Sequence, residues 1–496
     1  MAITVNCAAV HGIEASTVVV EIDFLRRLPN FTIVGLANHA VRESTERVRS
    51  AIVASGMEFP RVRVVVNLAP ADLPKSGTAF DLAIAVGILA AQNSFEQPLE
   101  KFYFAGELSL SGELRPVPGA IAFAKLAKAK GKVLVLPEDS ACEAALLHGV
   151  HVVGAKTLKQ VIEFLTNHTA LCPAVPKAWS EPDRPPDLSE VNGQQVARRA
   201  LEIAAVGAHH LLLTGPPGCG KSMLARRLPG ILPPLSHEEA LTCLQIRSMR
   251  GRDVKSQRWS TVPPLRTPHH SISSSGLAGD RHLRPGELSL AHHGVLFLDE
   301  IAEFSRGVIE TLRQPLEEGT IHLSKAAGSV TLPAQTVLVL AANPCPCGYF
   351  GTHIACICTD TAIHRYRQKL SGPILDRLDL HVELLPVPPE ELFSTSTAED
   401  TVTVQRRVIQ AKQFASERGQ FLPNSRLNAR ELHQLAPLKP ESVSLLKQSM
   451  HTLGISARAS LRTWRVSRTI ADLDQSPAIE THHLAESIGL RPHLTR

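Results

Sequence analysis

The segment Gly215-Pro216-Pro217-Gly218-Cys219-Gly220-Lys221-Ser222 fits the pattern G-x-x-x-x-G-K-S. An apolar, strand-like run at 211–213 precedes it and a helical run at 223–228 follows it, and this context separates the pattern from a chance glycine-rich turn. In such a loop, backbone amides close around a β-phosphate, Lys221 reaches the β- and γ-phosphates, and Ser222 coordinates Mg²⁺. We therefore predict that these eight residues form a site for ATP and Mg²⁺.

An acidic pair follows the next clear buried strand. The apolar run 295–298 ends in Asp299-Glu300, so both carboxylates would emerge at the carboxyl end of the strand, where ligands bind in parallel sheets. Asp299 would help to hold Mg²⁺, and Glu300 would polarise the water that attacks the γ-phosphate. An acidic pair alone is usually a solvated turn; its place after a strand and downstream of a phosphate loop favours catalysis.

A third strand-like run, 336–342, ends at Asn343. From a neighbouring strand tip, an asparagine can orient the attacking water. The alternative is a turn-forming asparagine before Pro344. The position of Asn343 in the alternating pattern favours the catalytic role.

The length of 496 residues is about three times that of a usual domain, so several compact units are expected. Strand-like and helical runs alternate over 1–170, a proline-rich linker occupies 171–187, alternation resumes over 188–389, and 390–496 reads as helical. The predicted fold class is α/β: a phosphate-loop αβα core with a helical C-terminal lid, preceded by a further α/β domain.

Composition narrows the class of protein. A hydrophobic content of 44% with 20% charged residues is typical of a globular protein, and a net charge of +5 leaves a polyanionic partner open without demonstrating one. No apolar run approaches the roughly 18–20 residues that span a bilayer, and the first residues lack the features of a signal peptide. We expect a cytoplasmic protein without membrane contact.

Nine cysteines are present, and four of them form two C-x-C pairs eight residues apart: Cys345, Cys347, Cys356 and Cys358. Four thiols on one short loop match a tetrahedral structural Zn²⁺ site, although C-x-C is tighter than the usual spacing and His353 or His364 could replace one ligand. The alternative is a reduced loop without metal.

Several motifs carry a family likeness. On them, residues 188–490 resemble the magnesium-chelatase-like branch of AAA+ ATPases, and the whole chain resembles its ComM/YifB-type members. The motifs are Val191-Asn192-Gly193-Gln194, Arg266-Thr267-Pro268-His269-His270, the run 285–294 (PGELSLAHHG), Leu312-Arg313-Gln314-Pro315-Leu316-Glu317, Asn343-Pro344-Cys345-Pro346-Cys347-Gly348 and the run 371–380 (SGPILDRLDL).

The resemblance implies a ring, a homo-hexamer, in which each nucleotide lies between two subunits. Arg377 then matches an arginine finger that acts on the neighbouring subunit; the alternative is a helix-end arginine paired with Asp376 or Asp379. Arg458 matches the second sensor arginine of the lid, although further arginines lie nearby at Arg462, Arg465 and Arg468.

The resemblance also implies an ATP-driven DNA motor, or helicase, that promotes branch migration in homologous recombination, as when DNA is integrated during natural transformation. Its DNA partners would be single-stranded and branched, and recombination proteins are possible partners. Two insertions would face the pore: one near 268–285, the other a hairpin over 320–332 with Ala327-Gly328 at its tip. Lys325 and Ser324 would contact phosphates without reading sequence; alternatively, the lysine only keeps a hairpin edge soluble.

Residues 1–168 resemble the Lon-protease-type domain. The likeness rests on the runs 75–81 (KSGTAFD) and 104–119, yet the serine position falls on Ala79 and the lysine position on Ile121, so we expect no peptidase activity. Ser76 and Lys125 are near misses. We interpret the domain as a DNA-binding or ring-stabilising scaffold. Two alternatives for the whole chain remain: a metal-chelatase-type AAA+ motor subunit and an ATP-dependent protein remodeler.

Overall fold

The computed structural model describes residues 2–491 apart from 36–40, 42, 74, 76, 94, 177–183, 251–258, 326–327, 370–371 and 389–397. The predicted boundary at 389–390, part of the predicted linker, Ser76 and the hairpin-tip residue Ala327 therefore lie outside the described residues. The strands are β1 Ile3–His11, β2 Glu14–Leu25, β3 Asn30–Val34, β4 Arg63–Ala69, β5 Phe102–Phe104, β6 Glu107–Leu108, β7 Leu114–Arg115, β8 Val133–Pro137, β9 Val152–Ala155, β10 Leu211–Thr214, β11 Leu265–Arg266, β12 Val295–Leu298, β13 Thr320–Lys325, β14 Gly328–Pro333, β15 Val337–Ala342 and β16 Leu380–Glu383.

Helices connect and cover these strands. Before the acidic pair Asp299-Glu300 they are α1 Ser44–Ala54, α2 Asp81–Gln92, α3 Ala120–Ala129, α4 Glu138–Ala144, α5 Leu158–Leu165, α6 Gln195–Gly207, α7 Lys221–Ala225, α8 Leu228–Ile231, α9 His237–Met249, α10 Ser274–Ala278 and α11 Glu287–Leu290. Beyond it they are α12 Arg306–Thr311, α13 Arg313–Glu318, α14 Asp360–Lys369, α15 Gly372–Leu375, α16 Thr401–Glu417, α17 Ala429–Leu435, α18 Pro440–Leu453, α19 Ala457–Leu473 and α20 Thr481–Gly489.

The central sheet has the order β11-β12-β15-β10-β16, and every pair in it is parallel. Side chains alternate between its two faces, so Leu211 and Leu213 enter one core while Leu212 enters another. The first core is completed by α6, α7, α8, α16 and α19, and the second by α10, α11, α12 and the β13–β14 hairpin. The predicted αβα class is confirmed, because a parallel sheet buried on both faces needs helices on each side.

The N-terminal region is also α/β. A mixed sheet of order β1-β2-β4-β3 packs with a parallel sheet of order β5-β8-β9, and the almost wholly buried helix α2 lies in the core they share. The register of β1 on β2 runs from Ile3↔Ile22 to His11↔Glu14, which ends in a tight turn at Gly12.

That turn packs on the unit that contains the central sheet, called the central unit below. A Cβ added to Gly12, which has φ +61°, would lie 2.1 Å from the side chain of Val330 in the β13–β14 hairpin. Nearby, Lys125 donates to Gln245 at 2.7 Å, and the Gly119 N–H donates to the Ser248 hydroxyl at 2.9 Å. The N-terminal region therefore braces both α9 and the hairpin.

Of the last helices, α16 packs in the core on one face of the central sheet, and α19 reaches the amino edge of that sheet. Asp379, which precedes β16, accepts hydrogen bonds from Arg462 of α19 at 2.8 Å and from the His210 N–H at 3.0 Å. His209 bonds to Thr469 of α19 at 2.7 Å. Although burial alone would raise it, the hydrogen bond from His209 and the charge of Arg462 hold the pKa of Asp379 below its usual range. Nowhere in the described part of the chain does a helix have the length and apolar character needed to cross a membrane.

Candidate active site

The phosphate loop joins β10 to α7, and two of its glycines adopt left-handed backbone conformations, Gly218 at φ +80° and Gly220 at φ +95°. These conformations turn the chain so that α7 begins at Lys221. The Lys221 ammonium donates to the carbonyls of Gly215 at 2.7 Å and Pro216 at 2.9 Å. A bound phosphate would compete for the same ammonium, because it offers a charged acceptor where the carbonyls are neutral.

The acidic pair lies beside the loop. Ser222 donates to an Asp299 carboxylate oxygen at 2.5 Å, so the two groups expected to hold Mg²⁺ are already in contact. The next residue, Glu300, has φ +51°, a left-handed conformation that costs free energy for a residue with a side chain. Its exposed carboxylate therefore leaves the strand in a fixed direction and faces solvent at the carboxyl edge of the sheet.

Asn343 is the centre of this group. Its side-chain oxygen accepts from Lys221 at 3.0 Å, and its backbone N–H donates to the hydroxyl of Tyr366 on α14. Burial raises the pKa of Tyr366, so the hydroxyl stays protonated. Lys221, Ser222, Asp299 and Asn343 are thus brought together at the carboxyl ends of three adjacent strands.

Arg377 and Arg458 lie elsewhere. Both contact one carboxylate oxygen of Glu317: Arg377 at 3.0 Å and Arg458 more closely. The alternative partner Asp379 pairs with Arg462 instead. Arg468 is buried on Asp472, and Arg465 donates to the Leu427 carbonyl, so of the four arginines considered for the second sensor Arg458 is the one beside Arg377.

The two arginines belong to the amino edge of the sheet. Arg377 stands three residues before β16, whose first residue, Leu380, pairs with the first residue of β10. Arg458 and Glu317 line a cavity of about 1010 Å³ that also includes Val337, the first residue of β15. The phosphate loop follows the far end of β10, about 10 Å away along the strand. Within one chain, the arginines therefore face away from Lys221.

The four cysteines form a compact cluster. Their sulfurs lie within 4.8 Å of one another; the Cys345–Cys347, Cys347–Cys356 and Cys345–Cys356 separations are 3.3, 3.5 and 3.7 Å. A tetrahedral Zn²⁺ with Zn–S bonds of about 2.3 Å needs sulfurs about 3.8 Å apart, so the set fits zinc. Backbone N–H groups point at the sulfurs, from Phe350 to Cys345 and from Cys347 to Cys358. Neither His353 nor His364 joins this group, although both are described.

The segment that carries the cysteines touches the phosphate loop. Gly348, at φ +86°, lies so close to Pro217 that an added Cβ would be 2.6 Å from the proline ring. The hydrogen bond from the Tyr349 N–H lowers the pKa of the Cys347 thiol to about 6. The loop therefore links Asn343, the cysteines and the nucleotide site in one segment.

A second group with metal-ligand side chains, Asp474, His482 and His483, has a simpler explanation. His483 accepts the Glu480 N–H at its Nδ1 atom at 2.9 Å, which caps α20. The proton therefore resides on Nε2, which faces Asp474 at 3.2 Å. A metal on Nε2 would displace that proton, so helix capping accounts for the arrangement.

The predicted DNA-contact residues lie on the hairpin. Ser324 and Lys325 are exposed at the end of β13, where Lys325 pairs with Gly328 across the turn. The other predicted insertion packs beside it: a Cβ added to Gly279 would lie 2.4 Å from the Leu323 side chain. The structure thus brings the two insertions together on one side of the sheet.

The peptidase positions hold no dyad. Ala79 is partly buried in the apolar core under α3, and Ile121 is fully buried against Leu241 and Leu244 of the central unit. Lys125, one of the two near misses, is committed to Gln245. These apolar positions serve packing.

Three site residues escaped the sequence reasoning: Gln194, Glu317 and Tyr366. Gln194 donates to the phosphate-loop carbonyl of Cys219 at 3.2 Å, and it stands in a motif that was recognised without a role for it. Glu317 likewise stands in a recognised motif without a role, and its partner Arg458 is 141 residues away in the chain. Tyr366 carries no local signal.

Comparison with known proteins gives three family matches: "Magnesium chelatase, subunit ChlI" over residues 187–392, "Subunit ChlI of Mg-chelatase" over 20–140, and the "Magnesium chelatase, subunit ChlI C-terminal" family over 398–491. The chain is 42% identical to YifB of Salmonella typhimurium over 98% of this chain and 96% of that protein. It is 40% identical to the competence protein ComM of Haemophilus influenzae over 97% and 95%. A shorter match, 28% identical, covers 38% of this chain and 19% of the DNA helicase MCM8 of Gallus gallus.

Proposed function

We propose, from the premise that the chain belongs to the ComM/YifB-type magnesium-chelatase-like family of AAA+ ATPases, that it is a ring-forming ATPase that moves DNA strands. Membership of an AAA+ family indicates ATP hydrolysis with ATP and Mg²⁺ as ligands. We propose in addition that hydrolysis is coupled to DNA movement, that the ring is a hexamer, and that the activity is branch migration.

One observation carries the proposal of a ring. Lys221, Asp299 and Asn343 gather at the carboxyl edge of the sheet, whereas Arg377 and Arg458 lie at the amino edge of the same chain. Two further cations at a γ-phosphate stabilise the transition state of hydrolysis, so these arginines would act on a neighbouring subunit's nucleotide. Head-to-tail contacts of this kind close into a ring.

The roles of the residues follow from that arrangement. The amides of the phosphate loop and Lys221 would bind the phosphates, and Ser222 and Asp299 would hold Mg²⁺. Glu300 would take the proton of the attacking water, and Asn343 would orient that water. Arg377 and Arg458 of the adjoining subunit would stabilise the charge that develops on the γ-phosphoryl group.

An apolar surface supports a second copy as the partner at the amino edge. The Phe421 side chain is 91% exposed, and it lines the same cavity as Arg458. Exposed aromatic side chains of this kind are typical anchors of protein interfaces.

DNA is the proposed substrate, since the names of two relatives refer to competence and to DNA helicase activity, and an exposed lysine stands on the hairpin. We expect Lys325→Ala to keep basal ATP hydrolysis but to lose most of its stimulation by branched DNA and its branch migration, because a phosphate contact is removed from the moving element. The measurement is ATPase rate and strand exchange at several salt concentrations. Lys447→Ala, at an exposed lysine on α18, is the matched control; equal branch migration in the two variants would contradict a role for the hairpin in DNA transport.

The direct test of the proposed activity is the ATPase rate and the subunit count with ATP, with and without single-stranded and branched DNA. Hexamers with DNA-stimulated hydrolysis are expected. A monomer whose ATP hydrolysis is not changed by DNA would contradict the proposed motor function.

A chelatase-type motor subunit is the second candidate, favoured by the names of the matching families. It would require binding to a porphyrin-carrying partner and no stimulation by DNA. An ATP-dependent protein remodeler would instead show ATPase stimulated by unfolded protein.

We further propose that the four cysteines hold a structural Zn²⁺. Four sulfur ligands close the coordination shell, so the ion would order the loop and supply no reactive site. One zinc per chain is expected by metal analysis after purification with thiol protection, and Cys356→Ser should abolish it while Cys172→Ser, at an exposed isolated cysteine, keeps it. A content far below one zinc per chain in the unaltered protein would refute the site.

A further inference from the structure

Glu317 joins three elements that are far apart in sequence. It lies on α13; Arg377 follows α15, and Arg458 is the second residue of α19. One oxygen of its carboxylate, Oε1, contacts an Nη2 atom of each guanidinium, at 3.0 Å for Arg377 and more closely for Arg458. The short helix and the lid are therefore linked through a single acceptor.

The charges explain why this acceptor matters. Two guanidiniums whose nitrogens share one oxygen are close enough to repel each other, and the carboxylate between them offsets that repulsion. The Arg377 side chain is 13% exposed and the Arg458 side chain 54%, so the first is fixed by its surroundings and the second is mobile without a partner to hold it. Glu317 sets the direction of Arg458 relative to Arg377.

We propose that Glu317 is a positioning residue for hydrolysis: it holds Arg377 and Arg458 side by side so that both reach the γ-phosphate bound to the neighbouring subunit. This inference rests on the proposed intersubunit ATPase. A γ-phosphate carries more negative charge than a carboxylate and accepts several charge-assisted hydrogen bonds, so it draws the arginines from Glu317 as the neighbour binds ATP. Prior alignment of the two cations then lowers the cost of reaching the transition state.

Three variants test the proposal. Glu317→Gln keeps the shape but removes the charge, and we expect kcat of assembled rings to fall about tenfold while KM changes less than about threefold. Glu317→Asp should restore part of kcat. Glu318→Gln is the matched control, because Glu318 is the next residue of the same helix and pairs instead with Gln314 and His322. ATP binding and subunit count, measured on each variant, separate loss of positioning from loss of fold.

A double-mutant cycle asks whether Glu317 acts through the arginine. In an Arg458→Ala background, Glu317→Gln should lower kcat much less than in the unaltered protein, since its partner is gone. An equal loss in both backgrounds would overturn the inference. So would Glu317→Gln rings with kcat within about twofold of the unaltered protein when Arg377→Ala lowers kcat strongly. If Arg377→Ala itself leaves kcat unchanged, the proposed function fails instead.

Discussion

At the scale of single residues, Glu143 on α4 is the clearest case of a group whose properties are set by its surroundings. Burial raises the pKa of its carboxyl to about 7, and the Ser248 hydroxyl of the central unit offsets this only in part. The folded state therefore keeps a proton that the unfolded chain releases at its ordinary pKa of 4.5. Stability should be greatest below pH 4.5 for this group and should fall as the pH rises toward 7.

Glu143→Gln removes that dependence. We expect the variant to be more stable than the unaltered protein at pH 8, by up to about 3 kcal/mol, with the difference shrinking toward pH 5. Thermal unfolding at the two pH values measures it. Glu138→Gln, at an exposed carboxyl of the same helix, is the control. A Glu143→Gln protein that is less stable at pH 8 would mean that Glu143 is held as a charged group by a partner.

Single residues also show what the sequence could predict of the site. Lys221, Ser222 and Asp299 follow from local patterns, because a phosphate loop and an acidic strand end each need only a few adjacent residues. The partners of the arginines do not follow: Glu317, Arg377 and Arg458 meet only because three elements fold together. Arg377 pairs with Glu317, 60 positions away in the chain. Its neighbour Asp379 is buried and pairs with Arg462 of the lid.

At the scale of elements, the loop 343–358 connects the water-orienting residue, the cysteine cluster and the phosphate loop. Gly348→Ala places a Cβ against the Pro217 ring, where the backbone gives it no room. We expect ATP affinity to fall roughly tenfold, because the phosphate loop must shift to admit the methyl group. Equilibrium binding of a fluorescent ATP analogue measures it.

Gly351→Ala is the matched control for that substitution. Gly351 has φ +80°, close to the +86° of Gly348, but no atom lies within 4 Å of the position of its added Cβ. Both variants carry the same backbone strain, and only Gly348→Ala meets Pro217. Equal losses of ATP affinity would show that strain in the loop, rather than contact with the phosphate loop, is responsible.

Elements differ in how far patterns determine them. Buried strands such as β12 and β15 coincide with apolar runs because parallel strands covered on both faces have little polar content. The helical run expected over 223–228 is instead two short helices, α7 and α8, since the chain turns at Arg226 and Arg227 and Pro229 occupies the start of the second. Contact between the Gly12 turn and the hairpin could not be predicted, because it joins two units of the molecule.

At the scale of the whole molecule, the central claim is that each chain contributes to two active sites. It gives its phosphate loop to one site and its arginines to the next. The phosphate loop and the arginines lie at opposite edges of one parallel sheet, and rotation of a side chain cannot bridge a strand length. A chain with Lys221→Ala keeps its arginines, and a chain with Arg377→Ala keeps its phosphate loop. Each variant alone should assemble into inactive rings.

The most direct measurement mixes those two variants in equal amounts and follows ATP hydrolysis as subunits exchange. Because random mixing joins an intact phosphate loop to an intact arginine at about a quarter of the interfaces, hydrolysis should recover to about that fraction of the unaltered rate. Exchange without any recovery, or an Arg377→Ala protein that is fully active alone, would contradict a catalytic centre shared between subunits.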